Sequence, residues 1–426
     1  MINKDFNISL TLRNNLCTGC GVCEDVCPKK CIVIKKDNGE NHPIVAHKLC
    51  LGEKCGRCLN VCPGVGLNFE QFAKEAFEDV SFIRRDKYIG HYVGLHSGYS
   101  LDESIRFHSA SGGVVSQFLI YLLDKKIIDG AVVTAFDKDN VTPISYIATN
   151  KDEILKAKSS KYCPVSLNLV GNEIIKSTLS RFIIVGLPCH IQAFRKRATF
   201  DKRLKEKIFG YFSLYCSSGR SFYAQEYLLK YYKVQKKNIQ YFAFRDEGCL
   251  GNLTIVHKEN ENIKSIRKIS IPYTSYYGPL LRSFFKNYRC LTCIDHYGGL
   301  ADVSFGDIHV SPYDRDKIGI SSWITRSVFW EQLFHSAVEE GYIHMDKLDP
   351  DTLNNSQKTM LYPKERKARA MMNINSLIGR ANPSYDKYLE TPTIKDYISV
   401  IVCLCQMYIG RHRKLWWIID LINKGK

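Results

Sequence analysis

The chain has 426 residues, 45% of them hydrophobic, which gives room for two to four domains with a sizeable core. Its N-terminus has no apolar stretch of signal-peptide type, so we expect a cytoplasmic protein. Seventeen cysteines would suggest disulfides in a secreted chain, but cytosolic thiols stay reduced. The cysteines are therefore expected to bind a metal or iron–sulfur clusters.

Eight cysteines near the N-terminus form two groups of four, each ending in Cys-Pro. The first has the spacing C-x2-C-x2-C-x3-C-P of bacterial two-cluster ferredoxins, in which the fourth cysteine binds the other cluster. The second group has a longer gap between its first two cysteines. The spacing predicts two 4Fe-4S clusters, cluster one held by Cys17, Cys20, Cys23 and Cys62, and cluster two held by Cys50, Cys55, Cys58 and Cys27.

Structural zinc is the alternative reading of these cysteines, because C-x2-C pairs also build tetrahedral zinc sites. Three thiolates at a three-residue repeat favour iron–sulfur clusters instead. Between the two groups, strand-like residues flank Asp37-Asn38-Gly39 and predict a hairpin. Cys31 stands at the start of this hairpin and is interpreted as a bystander. Residues 1–70 are thus predicted to form an α+β, bacterial ferredoxin-like domain.

Residues 85–345 alternate strand-like and helix-like segments, which predicts a mixed α/β body. The strand-like segments are Ala131–Ala135, Phe182–Val185 and Ala301–Phe305. The helical patterns are Val114–Asp124, Gln192–Arg197, Ser221–Tyr232 and Val328–Glu340.

The segment Ser109-Ala-Ser-Gly-Gly113 comes directly before the apolar helical pattern that starts at Val114. Glycines let an anion approach the main chain, and the free amides of a helix N-terminus attract phosphate. A plain helix cap is the alternative.

Further short motifs follow in a specific order: Ser160-Lys161-Tyr162, Gly186-Leu-Pro-Cys-His190, Cys216, Phe244-Arg-Asp246, Cys290-x2-Cys293 and Ala301-Asp-Val-Ser-Phe-Gly-Asp307. With this order, about residues 1–345 resemble the coenzyme F420 hydrogenase/dehydrogenase beta subunit family. The resemblance implies an iron–sulfur flavoprotein that binds FAD, with residues 85–170 and 171–345 as the two halves of the flavin-binding body.

The same resemblance implies site residues. Ser111, Gly112 and Gly113, in one loop with Ser109, would bind the FAD pyrophosphate, and Lys161 would be a cation near the phosphate or the flavin. The chain departs from the family in having His190 where glutamine is usual.

Four cysteines of the body stand at motif positions: Cys189, Cys216, Cys290 and Cys293. A lone cysteine is usually a small buried hydrophobe, but a C-x2-C pair has metal-ligand spacing and needs two further ligands. Together with the family motif, these residues predict a third 4Fe-4S cluster beside the flavin.

The formal charge of +17 falls to about +11 if three clusters each carry about two negative charges. This excess favours an acidic one-electron carrier such as ferredoxin, or a redox partner subunit. No nucleic-acid recognition motif accompanies the charge, so we expect no nucleic-acid partner.

Residues 346–426 are predicted to form a helical C-terminal extension. Its apolar run of thirteen residues, Tyr397–Ile409, is too short for a membrane span. The basic and aromatic residues after it, 411–419, would suit peripheral contact with an anionic membrane. We favour packing on the body or on a partner subunit.

Two functions follow. The first is an FAD- and iron–sulfur-dependent oxidoreductase that relays single electrons between a ferredoxin-type donor and a two-electron small-molecule acceptor, or the reverse. The second is a non-catalytic electron-transfer subunit of a larger complex. No catalytic residue is assigned, and His190, His296 and Asp307 are unranked candidate proton donors. The sequence leaves open the substrate, the use of F420 itself and the oligomeric state.

Overall fold

A computed structural model describes residues 6–78, 80–137, 141–259 and 265–423. The N-terminal elements are α1 (Ser9–Arg13), α2 (Val22–Asp25), β1 (Ile32–Asp37), β2 (Glu40–Val45), α3 (Arg57–Asn60), β3 (Gly66–Leu67) and α4 (Phe69–Phe77). The next are β4 (Arg84–Asp86), β5 (Gly90–Tyr92), β6 (Gly94–Ser100), α5 (Glu103–Phe107), α6 (Val114–Asp124), β7 (Gly130–Phe136), β8 (Pro143–Ala148), α7 (Lys151–Lys156) and α8 (Val170–Lys176).

The second half of the body and the C-terminal segment complete the chain. The body continues with β9 (Phe182–Gly186), α9 (Pro188–Ala198), α10 (Lys202–Lys205), β10 (Ile208–Leu214), α11 (Phe222–Tyr231), β11 (Ile239–Asp246), β12 (Asn252–Lys258), β13 (Ile266–Pro272), α12 (Tyr273–Tyr276), β14 (Val303–Asp307), β15 (Ser321–Thr325), α13 (Val328–Glu339) and β16 (Ile343–Lys347). The C-terminal elements are α14 (Pro350–Leu361), α15 (Lys364–Leu377), β17 (Ser384–Tyr385), α16 (Ile394–Arg411) and α17 (Trp416–Asn423).

The N-terminal domain has an internal repeat of cysteine, glycine and a four-residue helix. In each copy the glycine before the helix, Gly21 or Gly56, takes a positive φ, of 87° or 62°. Glycine adopts this conformation at little cost, which lets the chain turn from one cysteine into the helix that carries the next. The predicted hairpin is present as the antiparallel pair β1 and β2, with Asn38 and Gly39 both at positive φ.

The body is built on an eight-stranded mixed sheet of order β16-β6-β15-β14-β10-β9-β7-β8, which confirms the predicted α/β class. Strands β7, β9, β10 and β14 run parallel, and the pairings place β6 in the same direction. One face packs under α6 and α13, with Phe118 and Phe334 stacked at 3.8 Å between ring centroids. The other face packs under α8 and α9 and against the N-terminal domain.

Loops at one edge of this sheet carry most of the predicted site residues. The connection between β6 and α6 holds Ser109–Gly113, the first turn of α9 after β9 holds Cys189, and the loop after β10 holds Cys216. Because these strands point the same way, their carboxyl ends meet at one edge, where ligands bind in open α/β sheets.

A second, three-stranded sheet of β11, β12 and β13 packs with α11 and α12 around its own apolar core. The C-terminal helix α17 joins this core through Trp416 and Ile419, and Trp416 donates a hydrogen bond to the carbonyl of Gly410 at 2.9 Å. Strand β17 pairs in parallel with β3 of the N-terminal domain. The C-terminal segment is thus packed on the rest of the chain.

One face of α16 stays exposed. Its residues Ile394, Ile398, Ile401 and Tyr408 are between 52% and 79% exposed. None of the helices in the described ranges is both long and apolar enough to cross a membrane.

A buried ion pair fastens the N-terminal domain to the body. Asp25 of α2 pairs with Arg197 of α9, and both side chains are at most 2% exposed. The same carboxylate accepts hydrogen bonds from the backbone N–H groups of Gly171 at 2.7 Å and Asn172 at 2.9 Å. Because α2 contains Cys23 and ends two residues before Cys27, this contact holds the predicted cluster ligands against the body.

Replacing Asp25 by alanine is expected to lower the free energy of unfolding by about 3 kcal/mol, since it leaves the buried Arg197 with fewer partners. Anaerobic urea unfolding measures the change. The control is Glu206→Ala, which breaks an exposed pair with Lys202 and should cost less than about 0.5 kcal/mol. Equal losses in the two variants would contradict the anchoring role of Asp25.

Candidate redox site

The structure brings Cys17, Cys20, Cys23 and Cys62 together, as the predicted crossed ligation requires. Burial and the nearby Cys62 raise the pKa of both the Cys17 and the Cys20 thiols, that of Cys20 to about 11. Burial raises the pKa of Cys23 as well, and Cys20, Cys17 and Cys62 add to this effect. Without a metal these thiols stay protonated, whereas iron binding deprotonates them.

Backbone N–H groups point at the cysteine sulfurs. Gly19 donates to Cys17 Sγ at 3.4 Å and Gly64 donates to Cys62 Sγ at 3.3 Å. A backbone N–H that points at a sulfur stabilises a thiolate, and hydrogen bonds of this kind help to set the reduction potentials of iron–sulfur clusters. The residues around cluster one therefore fit a cluster bound by thiolates.

The predicted ligands of cluster two are also neighbours. Burial raises the pKa of Cys58 to about 11, and the charges of Cys50 and Cys55 add to this effect. Gly52 donates its backbone N–H to Cys50 Sγ at 3.4 Å. Cys27 Sγ lies 3.4 Å from Cys31 Sγ, and this contact places Cys27 next to the other predicted ligands of cluster two.

Cys189, Cys216 and the Cys290-x2-Cys293 pair come from three separate places in the chain and meet at one site. Burial raises the pKa of Cys189, with added contributions from the other three thiols of this group. Burial and Cys290 raise the pKa of Cys216 to about 12. Gly219 donates its backbone N–H to Cys290 Sγ at 3.2 Å, the same arrangement as around the N-terminal cysteines. We call these four cysteines the third cysteine group.

The third cysteine group lies against cluster one. Cys20 is the first of the thiols whose charge raises the pKa of Cys189. Arg289, directly before Cys290, donates from Nη2 to the carbonyl of Pro63 at 2.8 Å and from Nε to that of Gly64 at 3.1 Å. Burial disfavours the charged form of Arg289, but Tyr385, Cys293 and Cys62 outweigh it and raise its pKa. A buried cation therefore stands between the two sites.

Within the described ranges, no three histidine, cysteine, aspartate or glutamate side chains are close enough to hold a single metal ion.

The loop Ser109–Gly113 uses its two glycines for different purposes. A Cβ on Gly112 would lie 2.6 Å from the carbonyl oxygen of Gly98 and 2.6 Å from the backbone nitrogen of Ser321, so this glycine lets the loop pack on β6 and β15. Gly113 caps α6 with a φ of 77°. Ser109 and Ser111 donate their hydroxyls to backbone carbonyls.

Three backbone amides of this loop are unpaired within the described ranges, although Gly112 and Gly113 are buried. Among the described residues, the N–H groups of residues 111–113 find no hydrogen-bond partner, and they stand at the N-terminus of the eleven-residue helix α6. The helix dipole favours a negative charge at this point. The loop therefore fits a phosphate through its backbone, while its hydroxyl groups are engaged within the protein.

Lys161 is half-buried, and its side-chain nitrogen contacts the protein's own backbone. It donates to the carbonyls of Ala157 at 2.6 Å, Lys158 at 2.5 Å and Ser159 at 3.0 Å. Burial lowers the pKa of Lys161 to about 7. These contacts place the predicted cation in a turn that continues into Tyr162.

The Phe244-Arg-Asp246 segment at the end of β11 joins these motifs. His108 Nδ1 lies 2.8 Å from Asp246 Oδ1, beside the Ser109–Gly113 loop. Arg245 pairs with Asp307 at 2.6 Å and accepts, through its carbonyl, the hydroxyl of Ser159. Arg245 Nη2 is buried and has no partner among the described residues, so a donor is left for an acidic or carbonyl group of a ligand.

Aromatic side chains connect this region to the third cysteine group. Tyr277 lies 4.6 Å from both Tyr162 and Tyr273 between ring centroids. Arg220 donates to the Tyr277 hydroxyl at 3.1 Å. Burial raises the pKa of Tyr277, the Arg220 charge opposes this, and Tyr162 and Cys216 add to the rise. Apolar rings with a buried arginine donor make a surface on which a flavin ring can stack.

The three candidate proton donors are engaged in structural contacts. Burial lowers the pKa of His190 to about 4 and that of His296 to about 3, so both are neutral. His190 accepts from the backbone N–H of Leu187 and donates towards the carbonyl of Val165. Although burial opposes it, Arg245 holds the pKa of Asp307 well below its usual range.

Sequence reasoning missed Arg289 and Tyr277, whose roles rest on contacts between distant parts of the chain. It also missed Lys364 of the C-terminal segment, which donates to the carbonyls of Cys216 and Ser217, both at 3.1 Å. Gln357 likewise reaches the site, donating to the Asp307 carbonyl at 2.9 Å. For Lys364, the signal in the sequence was the basic character of residues 361–380.

Comparisons with known proteins agree with this architecture. A relative named coenzyme F420 hydrogenase subunit beta, from Methanosarcina barkeri, is 24% identical over 295 residues, covering 65% of this chain and 93% of the relative. The coenzyme F420-dependent sulfite reductase of Methanocaldococcus jannaschii is 27% identical over 204 residues, covering 48% of this chain and 28% of that protein. A chain of the F420-reducing NiFe hydrogenase complex of M. barkeri shares the fold, with a TM-score of 0.54 and 20% identity over 72% of this chain and 99% of that chain.

Family models cover both parts of the molecule. The model of the 4Fe-4S dicluster domain matches residues 16–65. The models of the N-terminal and C-terminal parts of the coenzyme F420 hydrogenase/dehydrogenase beta subunit match residues 95–170 and 179–351. The resemblance found in the sequence is confirmed: the chain is an iron–sulfur redox protein that belongs to the coenzyme F420 hydrogenase/dehydrogenase beta subunit family.

Proposed function

We propose that the protein is an FAD- and iron–sulfur-dependent oxidoreductase of the cytoplasm. It relays single electrons from an acidic, ferredoxin-type donor through cluster two, cluster one and a third 4Fe-4S cluster to FAD, which serves a two-electron small-molecule acceptor. The reverse direction uses the same path. FAD, when bound, converts between one-electron and two-electron transfer, and the protein positions it and tunes its potential.

The observation that carries this proposal is the position of the third cysteine group. On one side Cys189 neighbours Cys20 of cluster one, and on the other Cys216 neighbours Tyr277. Tyr277 in turn contacts Tyr162, in the loop that follows Lys161. Cys20 of cluster one is the thiol outside the third cysteine group whose charge acts most on Cys189, which supports placing cluster one next to the third cluster.

Anaerobically purified protein tests the whole proposal in one preparation. We expect about twelve irons and about twelve sulfides per chain, in three 4Fe-4S clusters, with about one extractable FAD. The visible spectrum should show the clusters and the flavin bleaching as reductant is added. Purified protein that carries clusters but no flavin would contradict the proposed oxidoreductase function. The protein would then be an electron carrier.

The flavin site can be tested with one charge. We propose that the free amides of residues 111–113 hold the FAD pyrophosphate, so a carboxylate placed there should repel it. Ser111→Glu is expected to weaken FAD binding by about tenfold or more, because a like-charge contact costs about 1.4 kcal/mol or more. Ser111→Gln, of the same size but neutral, is the control, since both variants lose the hydrogen bond to Ile320. Equal flavin content in the two variants would contradict this position for the phosphate.

Exposed cations surround cluster two and suit an acidic donor. They are Lys29, Lys30, Lys48, Lys54 and Arg57, with Glu53 as an acidic neighbour. Complementary charges on two redox partners speed their encounter, and this electrostatic steering weakens at high salt.

Reversing two of these charges is expected to slow reduction by a ferredoxin about tenfold at low salt, with a smaller effect at high salt. The variant is K54E/R57E, and stopped-flow measurement of cluster bleaching gives the rate. K202E/R203E makes the same change in net charge on α10 and should leave the rate close to that of the wild type. Similar slowing in both variants would point to overall charge and against a docking site at cluster two.

The second candidate function is an electron-transfer subunit of a larger redox complex. Relatives named as beta subunits and the exposed face of α16 favour it. On that face Ile394, Ile398, Ile401, Cys405 and Tyr408 follow a 4-3-4-3 spacing, which is typical of a helix that packs on another helix. We propose a helix of the redox partner subunit as the occupant.

Pull-down with the native complex distinguishes the two functions. If a second redox subunit co-purifies with the wild-type chain but not with the I398E/I401E variant, the function as an electron-transfer subunit is favoured. Binding of the purified chain to anionic liposomes, lost in the same variant, would instead assign this face to a membrane surface.

A further inference from the structure

Cys31 is a ninth cysteine in the N-terminal domain and belongs to neither group of four. It is 4% exposed, and its Sγ lies 3.4 Å from Cys27 Sγ. Its backbone N–H also donates to Cys27 Sγ at 3.4 Å, and its carbonyl accepts from Ala46 at 2.8 Å. The residue is therefore held beside a predicted ligand by its own backbone.

A second ligand of cluster two also lies close to Cys31. Cys27 and Cys50 are the thiols whose charges act on it, and both belong to cluster two. Cys31 packs in the same buried group as Ile8, Ile32 and Cys58. Its sulfur thus lies among the predicted ligands of cluster two.

The repeat in the domain offers an internal comparison. Cys27 is the crossed ligand of cluster two and Cys62 is the crossed ligand of cluster one, each followed by proline. Four residues after Cys27 comes Cys31, whereas four residues after Cys62 comes Gly66. Around Cys62, the thiols whose charges raise the pKa of Cys17, Cys20 and Cys23 are all predicted cluster ligands. A spare thiol is therefore present at one of two equivalent positions.

We propose that Cys31 is a reserve ligand of cluster two, able to bind the iron that Cys27 normally holds. This inference rests on the proposed 4Fe-4S identity of cluster two. In the exchange an iron–sulfur bond to Cys31 forms as the bond to Cys27 breaks, and the proton of the Cys31 thiol ends on the Cys27 sulfur. No electron is gained or lost. The exchange keeps four thiolates on the cluster when one is displaced.

Removing Cys27 tests the proposal through iron content and spectrum, independently of activity. Cys27→Ala is expected to keep about twelve irons per chain and a normal 4Fe-4S spectrum, because Cys31 replaces the lost thiolate. The double variant C27A/C31A should lose one to four irons and show the EPR signal of an oxidised three-iron cluster, or no cluster two. Cys62→Ala, the matched change at cluster one, should lose iron in the same way as the double variant.

A second measurement covers the case in which Cys27→Ala fails to fold. In the C31A variant, Cys27 is intact, and a chelator should remove cluster two faster than in the wild type because no spare thiol recaptures the iron. Cys403→Ala, which removes a buried thiol from α16, should release iron as the wild type does.

Two results would overturn the inference alone: equal loss of iron in C27A and C27A/C31A from a wild type with twelve irons, or iron release from C31A at the wild-type rate. A wild-type protein with no iron at cluster two would overturn both the inference and the proposed function.

Discussion

Replacing Cys290 by alanine should leave about eight to eleven irons per chain where the wild type has about twelve, and should disconnect the flavin from the donor. Cys290 comes from the C-x2-C pair, and its sulfur already accepts a backbone hydrogen bond from Gly219 at 3.2 Å. Its loss leaves three thiolates, Cys189, Cys216 and Cys293. Clusters one and two do not use Cys290, so their iron should remain.

Two measurements on the same sample separate the outcomes. Iron and sulfide analysis gives the number of clusters, and stopped-flow absorbance follows flavin reduction by reduced ferredoxin. We expect clusters one and two to be reduced at the wild-type rate while the flavin stays oxidised. Cys403→Ala is the control for losing a buried thiol, and it should behave as the wild type.

A Cys290→Ala protein with twelve irons would show that this cysteine is not a ligand. A wild-type protein with eight irons would remove the third cluster from the proposal. If the variant holds eight irons and its flavin is still reduced at the normal rate, electrons reach the flavin by a path that avoids the third cysteine group.

Replacing Arg289 by methionine is expected to have the second large effect, on both stability and potential. Arg289 is 4% exposed, and its guanidinium group donates to the carbonyls of Pro63 and Gly64, to Thr292 and to Tyr385. Methionine leaves buried carbonyls without a donor, at a cost of about 1–3 kcal/mol each. We expect the free energy of unfolding to fall by about 3 kcal/mol.

The potentials report on the charge of Arg289. A cation beside a cluster stabilises the reduced, more negative form, so its removal should lower the reduction potentials of both cluster one and the third cluster. Cluster two, which lacks this neighbour, should keep its potential. EPR-monitored redox titration measures all three.

Two further variants separate charge from geometry. Arg289→Lys keeps the charge but loses the planar fork, so it should retain the potentials and lose stability. Arg195→Met removes a half-buried arginine that holds Leu300 and Asp302, and it should leave the potentials unchanged. Equal shifts in R195M and R289M would contradict a specific role for Arg289 between the two clusters.

Local elements were predictable because their signals lie within a few residues. The helical pattern Val114–Asp124 coincides with α6, and the Asp37-Asn38-Gly39 turn forms the expected hairpin. The strand expected at Ala301–Phe305 is present as β14 but is shifted by two residues, to Val303–Asp307. Its register is set by pairing with β10 and β15, which are distant in sequence.

The loop Ser109–Gly113 shows the limit of motif reasoning. The sequence predicted a phosphate site from the glycines, and this site stays a prediction. The close approach at Gly112, however, is to Gly98 and Ser321 of the protein itself. Only the arrangement of β6 and β15 in the sheet reveals this second reason for a glycine.

The C-terminal segment was expected to be a helical extension, and its helices are present. Its contacts with the site could not be predicted, because Lys364 reaches Cys216 and β17 pairs with β3 across more than a hundred residues of sequence. Charge and apolar pattern identify such a segment as a packed helix, but they do not say what it packs against.

The sequence by itself determined the chemistry of this protein, since the number, type and spacing of cysteine ligands are local properties of the chain. The tertiary structure decided which of these cysteine sites lie next to one another. Contacts between Cys20 and Cys189 and between Arg289 and Pro63 depend on how the domains pack. Packing is set by the burial of surfaces from distant segments, and no spacing within one segment reports it.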